Sequence, residues 1–275
     1  MTSKIIQNIV LKNGGTIWLP PNPDRVNASI PDLSLPDSSQ QYDVGTAYTY
    51  NGKAYYYSYA TAIVKPRQLA ETSYHQATAQ AVIAANADIY ATSIVITTAS
   101  GDGVASDGVF AKDALKGGHV VVFVAGSGGD DDDFARGIIS STAVAAAGEV
   151  TLELDGPIPH ALVHDTSVAE AIASPWAYIR LGADVARTKV GVPTCYAAAA
   201  KWVWVQTWGP TWIAPQSTVG VAGLVGIVAR HDGSIEPADS TVSAYISNQH
   251  LGYTMFPSST STQAAPFVYL QIAHP

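Results

Sequence analysis

In this 275-residue chain the residue types best able to do chemistry gather in a few places. Gly126-Ser127-Gly128-Gly129 runs directly into Asp130, Asp131, Asp132 and Asp133, a string of carboxylates that would suit a hard cation such as calcium. It lacks the Asp-x-Asp-x-Asp-Gly period and the distant bidentate acid of an EF-hand loop, so the four aspartates are expected to form a solvated turn. Among the seven histidines only His160 and His164 are close enough to act as a local ligand pair. Pro157 and Pro159 precede them and no glutamate follows the first, which argues against a zinc helix and for loop histidines near an interface. A Gly-x-Ser-x-Gly elbow is absent. Cys195, the single cysteine, has no basic neighbour in the chain and reads as a packed thiol. Glu153, Asp155 and Asp165 would have to converge in space to supply the paired acids of a glycosidase, and their sequence separation gives that no support. The expectation is a protein that is not an enzyme and needs no cofactor.

The most informative segment is Trp202-Val203-Trp204-Val205-Gln206-Thr207-Trp208. Strict alternation puts Trp202, Trp204, Gln206 and Trp208 on one strand face. Three indoles in a row make either a sugar-stacking platform or a surface packed in a core or between subunits, and Pro210 and Trp212 immediately beyond favour packing. A second aromatic series flanks Asn51-Gly52, the dipeptide that best fits a two-residue type I′ hairpin turn, with Tyr48 and Tyr50 before it and Tyr55, Tyr57 and Tyr59 after it.

These side chains need elements to hold them. Residues 20–43 carry five prolines among Asp, Ser and Asn, which prevents a helix or central strand and predicts an extended arm over residues 1–43. Ile30, Leu33 and Leu35 punctuate it, as expected of an arm that lies along a neighbouring subunit and can be trimmed without unfolding the rest. Residues 66–87, where Leu69, Ala70, Ser73, Ala77, Ala81 and Ala84 recur at three-and-four spacing behind Pro66, predict one short helix. β-branched runs at 92–98, 119–124, 150–154, 202–208, 219–229, 241–246 and 267–272, separated by Gly, Asp and Ser clusters, predict strands. The fold class expected is therefore mainly β, an antiparallel sandwich or barrel, with a body over 44–275 divisible into subdomains 44–190 and 191–275.

Composition narrows the role. Hydrophobic residues make up 47% of the chain and charged residues 13%, against about 25% charged in average chains. Low charge lowers the desolvation cost of docking and suits a subunit that spends its surface on other subunits. Fourteen basic against twenty-two acidic residues give a net charge of −8, and no basic cluster longer than a pair occurs, so no nucleic-acid partner is expected. No apolar run reaches the roughly 20 residues of a membrane helix, and the N terminus lacks the pattern of a signal peptide.

Several parts, in order, resemble the virion structural proteins of tailed bacteriophages that accompany the major capsid protein as decoration, cement or head-fibre-base subunits. They are Gly45-Thr46 leading into the Tyr-rich hairpin, the segment near Pro66, Thr92-Ser93-Ile94-Val95-Ile96-Thr97-Thr98 and Gly117-Gly118-His119-Val120-Val121-Val122. Val150-Thr151-Leu152-Glu153-Leu154-Asp155-Gly156-Pro157 and Trp204-Val205-Gln206-Thr207-Trp208-Gly209-Pro210 complete the series. The resemblance covers Val44 to the C terminus and excludes the aspartate run and the proline-rich arm. It implies a homo-oligomer, often a trimer, bound to the major capsid protein on the capsid surface, with no catalytic residues to carry over. The residues expected at its interfaces are Trp202, Trp204, Trp208, Trp212, Tyr55, Tyr57, Ile30, Leu33 and Leu35. A tail or fibre-base role and a carbohydrate- or receptor-binding module are the alternatives.

Overall fold

The computed structural model describes residues 8–20, 23–72, 78, 80–103, 105–124, 132–184, 187–215, 219–220, 223–238, 248–256 and 266–275. The chain is mainly β and divides into two compact units, residues 1–73 with 176–275, and residues 74–175. The second unit is thus an insertion in the first. A division at 190/191 is not what the structure has: that point falls inside a strand.

The first unit begins with β1 (Asn8–Val10), β2 (Thr16–Trp18), β3 (Ala47–Tyr50), β4 (Lys53–Ala60) and β5 (Ala70–Thr72). The insertion supplies β6 (Ala81–Val82), β7 (Ser93–Thr97), β8 (His119–Phe123), β9 (Phe134–Ser141), β10 (Glu149–Leu154) and β11 (Val168–Ile172). The chain then returns with β12 (Ile179–Leu181), β13 (Lys189–Pro193), β14 (Lys201–Trp212), β15 (Gly226–Ala229), β16 (Ile235–Pro237), β17 (His250–Thr254) and β18 (Phe267–Gln271). The expected hairpin stands between β3 and β4, with Asn51 at φ 50° and Gly52 at φ 72°, as a type I′ turn requires.

The described members of residues 66–87 are not helical: they form a turn, β5, β6 and isolated bridges at Ile83 and Ala87. Arg67 and Gln80 take left-handed φ values of 70° and 49°, which a helix cannot contain. Of the small residues that gave helical spacing, Ala70 and Ala81 are buried in strands β5 and β6.

In the first unit β4, β12, β5, β13 and β14 pair in that order, and β14 pairs back onto β4, which closes a five-stranded barrel. Only β4–β12 is parallel among these pairings. The interior is filled by Ala60, Val64, Ala70, Ile179, Val190, Val203 and Val205. The far half of β14 leaves the barrel and pairs with β18, beyond which come β17, β15 and β16, over a second core that includes Ile213, Ile227, Leu251, Val268 and Leu270. In the inserted unit the order is β6-β11-β8-β9-β10-β7, and the Ile83–Ile96 bridge with the Ala84 N–H to Val95 carbonyl bond (2.8 Å) nearly closes that sheet as well. No helix among the described residues is long and apolar enough to cross a membrane.

The described residues of the N-terminal segment belong to their own body. β1 and β2 extend the sheet beyond β3, Asp37 bridges to Trp202, and Tyr42 and Asp43 are buried at 3% exposure. Asp43 accepts the N–H groups of Asp24 (2.6 Å) and Arg25 (3.3 Å), and the Tyr42 hydroxyl donates to the Ser29 carbonyl (3.1 Å). Removal of residues 1–43 is therefore expected to unfold the first unit by uncovering Tyr48, Tyr57 and Trp204, read as loss of its cooperative urea transition; a truncated chain with an unchanged transition would contradict this packing.

One wall of the barrel holds a buried ion cluster. Glu71 on β5 has no exposed side-chain surface and receives the Lys189 ammonium and the Arg180 guanidinium (2.9 Å), while the Asp184 N–H also donates to it (3.1 Å). Gln249 clamps the Lys189 backbone at both its N–H (2.7 Å) and its carbonyl (2.9 Å). Burial works against the Glu71 carboxylate, but hydrogen bonds from Lys189 and the backbone together with the Lys189 charge outweigh it and hold the pKa below its ordinary 4.5. A folded pKa below the unfolded one means that the stabilisation is complete above about pH 4.5 and is lost as pH falls through the folded value. Glu71→Gln strands two cations and is expected to cost about 3–5 kcal/mol at pH 7. In urea unfolding across pH 2–7 the gap between wild type and variant should narrow below pH 4.5; a gap independent of pH would sink the assignment.

Candidate functional site

Alternation along β4 and the first half of β14 sorts the aromatic residues to two sides. Trp202, Trp204 and Gln206 stand opposite Tyr59, Tyr57 and Tyr55, so these six share the outer wall of the barrel. Trp204 is 2% exposed and is ringed by Tyr57 (5.1 Å between centroids), Tyr42 (5.1 Å) and Tyr48 (6.0 Å). Leu11, Ile17 and Leu19 close over it, with Leu33 and Trp202 packed at the edge. Trp204 and Tyr57 are consequently packed against this chain's own N-terminal segment, with Tyr55 beside them at 7% exposure. Tyr57 also donates its hydroxyl to Asp37 (2.6 Å) and accepts the Gln41 N–H (3.1 Å). Burial, reinforced by the bond to Asp37, pushes its pKa well above the usual phenol value, while burial pushes Tyr55 up to about 12.

The strict alternation fails after Gln206. A register shift between Gln206 and Trp208 places Trp208 opposite Ala54, on the other side from Trp204. The Gln206 amide fills the irregularity by donating to the carbonyls of Trp208 (3.0 Å), Gly209 (3.3 Å) and Pro210 (3.0 Å). Gly209 takes φ 88°, and a Cβ there would run into the Gly52 carbonyl, so glycine is required on two counts.

Beyond the bulge a second aromatic surface opens. Trp208, Pro210 and Trp212 pair across to Gln271, Tyr269 and Phe267 on β18, and Tyr269 pairs with Tyr253 on β17. Trp208 meets Tyr269 edge-on at 5.9 Å, and Tyr253 stacks on Tyr269 at 5.4 Å with 4° between planes. Phe267 is 57% exposed and Phe256, just past β17, 69%. Val268 and Leu270, which alternate with these, are fully buried, so this is the outer face of a sheet whose inner face is already covered. Ile30 and Leu35 are also exposed, at 53% and 65%, whereas Leu33 turns inward.

At the edge of this face is a cleft of about 330 Å³ between β13, β14 and the turn before β5. It brings together three of the residues expected at an interface, Leu33, Tyr55 and Trp212, with Arg67, Val192, Pro193, Thr194 and Gln206. The Arg67 guanidinium lies over the Trp212 ring, 4.7 Å from its centroid. Phe267, Tyr269, Tyr253 and Arg67 were not among the interface residues read from the sequence. Alternation within 267–272 already placed Phe267 and Tyr269 on one face, but Arg67 carries no local signal.

The polar candidates do not converge. Asp130 and Asp131 lie outside the described residues; Asp132 stands 3.6 Å from His160, and Asp133 accepts the Val124 N–H (3.0 Å). His164 faces Asp165 (3.2 Å) in a different pair. Among the described residues no group of three or more His, Cys, Asp or Glu side chains is placed to hold a metal ion. Cys195 is 9% exposed in the barrel core, where burial raises its pKa.

Comparison with known proteins finds no matching family model, no matching curated protein and no matching solved structure.

Because Tyr57 ties the N-terminal segment to the barrel through one charged hydrogen bond, Tyr57→Phe should keep the aromatic packing and cost about 1.5–3 kcal/mol. Urea unfolding checks the cost, and limited proteolysis around residues 24–36 should quicken. Unchanged values in both would mean that the bond to Asp37 is not what fastens the segment.

Proposed function

We propose that this chain is a non-enzymatic structural protein of a tailed-phage virion, a decoration or cement subunit that binds the major capsid protein at the capsid surface and associates with copies of itself. The observation that carries the reading is the outer face of β14, β18 and β17. It exposes Phe267 and Tyr253 beside Trp208, Trp212 and Tyr269, and no charged residue occupies its paired positions. A sheet already covered on its inner side gains no intrachain stability by exposing aromatics on the other, whereas a docking face gains large contact area with few rotors to freeze. The low overall charge and the ordered resemblance to head-accessory proteins point the same way.

The test is co-sedimentation with capsids stripped of their minor proteins, with the mass of the free protein measured by light scattering. An oligomer that binds in fixed stoichiometry is expected, and Phe267→Glu should abolish binding while leaving unfolding within about 0.5 kcal/mol of wild type, as for an exposed position. Absence of binding by the wild-type protein would overturn the capsid assignment and direct attention to tail structures.

A further inference from the structure

We propose that the cleft beneath Arg67 is a binding site for a carboxylate carried next to an apolar group, as at a peptide chain end or on an acidic side chain. Its ground is a guanidinium and a buried indole N–H that have no acceptor among the described residues. Arg67 makes no ion pair among the described residues; its guanidinium lies over Trp212, 4.7 Å from the ring centroid. The Trp212 indole N–H is buried and has no acceptor among the described residues. The Gln206 amide N–H groups at the same cleft are already used by three backbone carbonyls and add nothing to the free donors. Asp32, beside Leu33 in the chain, is committed to Ser34, whose N–H (2.8 Å) and hydroxyl (2.6 Å) both donate to one of its oxygens.

A single guanidinium matches one carboxylate, planar and bidentate, better than a phosphate, which calls for several cations. Leu33 and Pro193 line the same cleft and offer an apolar wall to the group that carries the charge. The backbone supports a fixed role for Arg67. It holds the left-handed region at φ 70°, where arginine is disfavoured, and its carbonyl accepts the Ala214 N–H (2.8 Å), which anchors the turn to the residues after β14. In a chain of net charge −8, an unpaired arginine over a tryptophan is a local reversal of sign. The site stands on this geometry and not on the capsid assignment.

The intact protein, labelled with ¹⁵N, should be titrated with N-acetyl-leucine, with N-acetyl-leucinamide, and with N-acetyl-glutamic acid α-amide, following the Trp212 indole N–H signal assigned through Trp212→Phe. A saturable shift in the millimolar range is expected with the carboxylates, at least tenfold weaker with leucinamide and with Arg67→Gly, a variant whose backbone relaxes at that φ. Arg67→Lys should lie between. Tighter binding of N-acetyl-leucine identifies a chain end, and of the glutamate probe an acidic side chain. No saturable shift with either carboxylate, equal response to the amide, or binding untouched in Arg67→Gly would each overturn the proposal.

Discussion

Strand β14 has to belong to two sheets, and much of the first unit follows from how it does so. Its first half closes the barrel by pairing with β4 and β13; its second half leaves the barrel to pair with β18. A regular strand of twelve residues would keep all its even-numbered side chains on one side. The register shift at Gln206 and Trp208 breaks that parity, and the Gln206 amide satisfies the carbonyls the shift leaves exposed. One run of tryptophans thereby serves two surfaces: Trp202 and Trp204 face the N-terminal segment, while Trp208 and Trp212 face outward beside β18.

The two surfaces differ in who covers them. The inner aromatic cluster is sealed by β1, β2 and the extended segment that follows, held by Asp37 on Tyr57 and by Asp43 on the backbone of Asp24 and Arg25. The outer one has its rings arranged against each other at 5.4–5.9 Å yet keeps edges and faces open. On the opposite part of the barrel wall the Glu71 cluster uses charge where the aromatic cluster uses area. Its partners come from β12 and β13, so the carboxylate fixes the register of three strands at once.

How much of this was legible in the sequence depended on whether the signal was local. Asn51-Gly52 specifies its turn through two adjacent backbone conformations, and the β-branched runs at 92–98, 119–124, 150–154 and 267–272 appear as strands because alternation and branching act on neighbours. The segment 241–246 lies outside the described residues. Residues 66–87 misled because alanine spacing fits a helix and a closely packed strand alike, and the deciding partners, Arg180, Lys189 and Gly233, are more than 100 residues away. The bulge in β14 was invisible for a related reason: parity is broken by what Ala54 and Gln271 pair with, not by anything in the tryptophan run itself. Leu33, Tyr55 and Trp212 were picked out as apolar or aromatic residues, but their meeting around Arg67 is a product of barrel closure.

The insertion enters after β5 and returns at β12, and these two strands pair directly, Thr72 opposite Ile179. Topologically, the whole second unit is the loop of a hairpin. As a floppy chain of about 100 residues such a loop would oppose closure by roughly 4 kcal/mol of entropy. Once folded with its ends together it would behave as a short, stiff connector. The barrel's closure is therefore linked to its guest: β5–β12 pairing costs less entropy once residues 74–175 have folded than before.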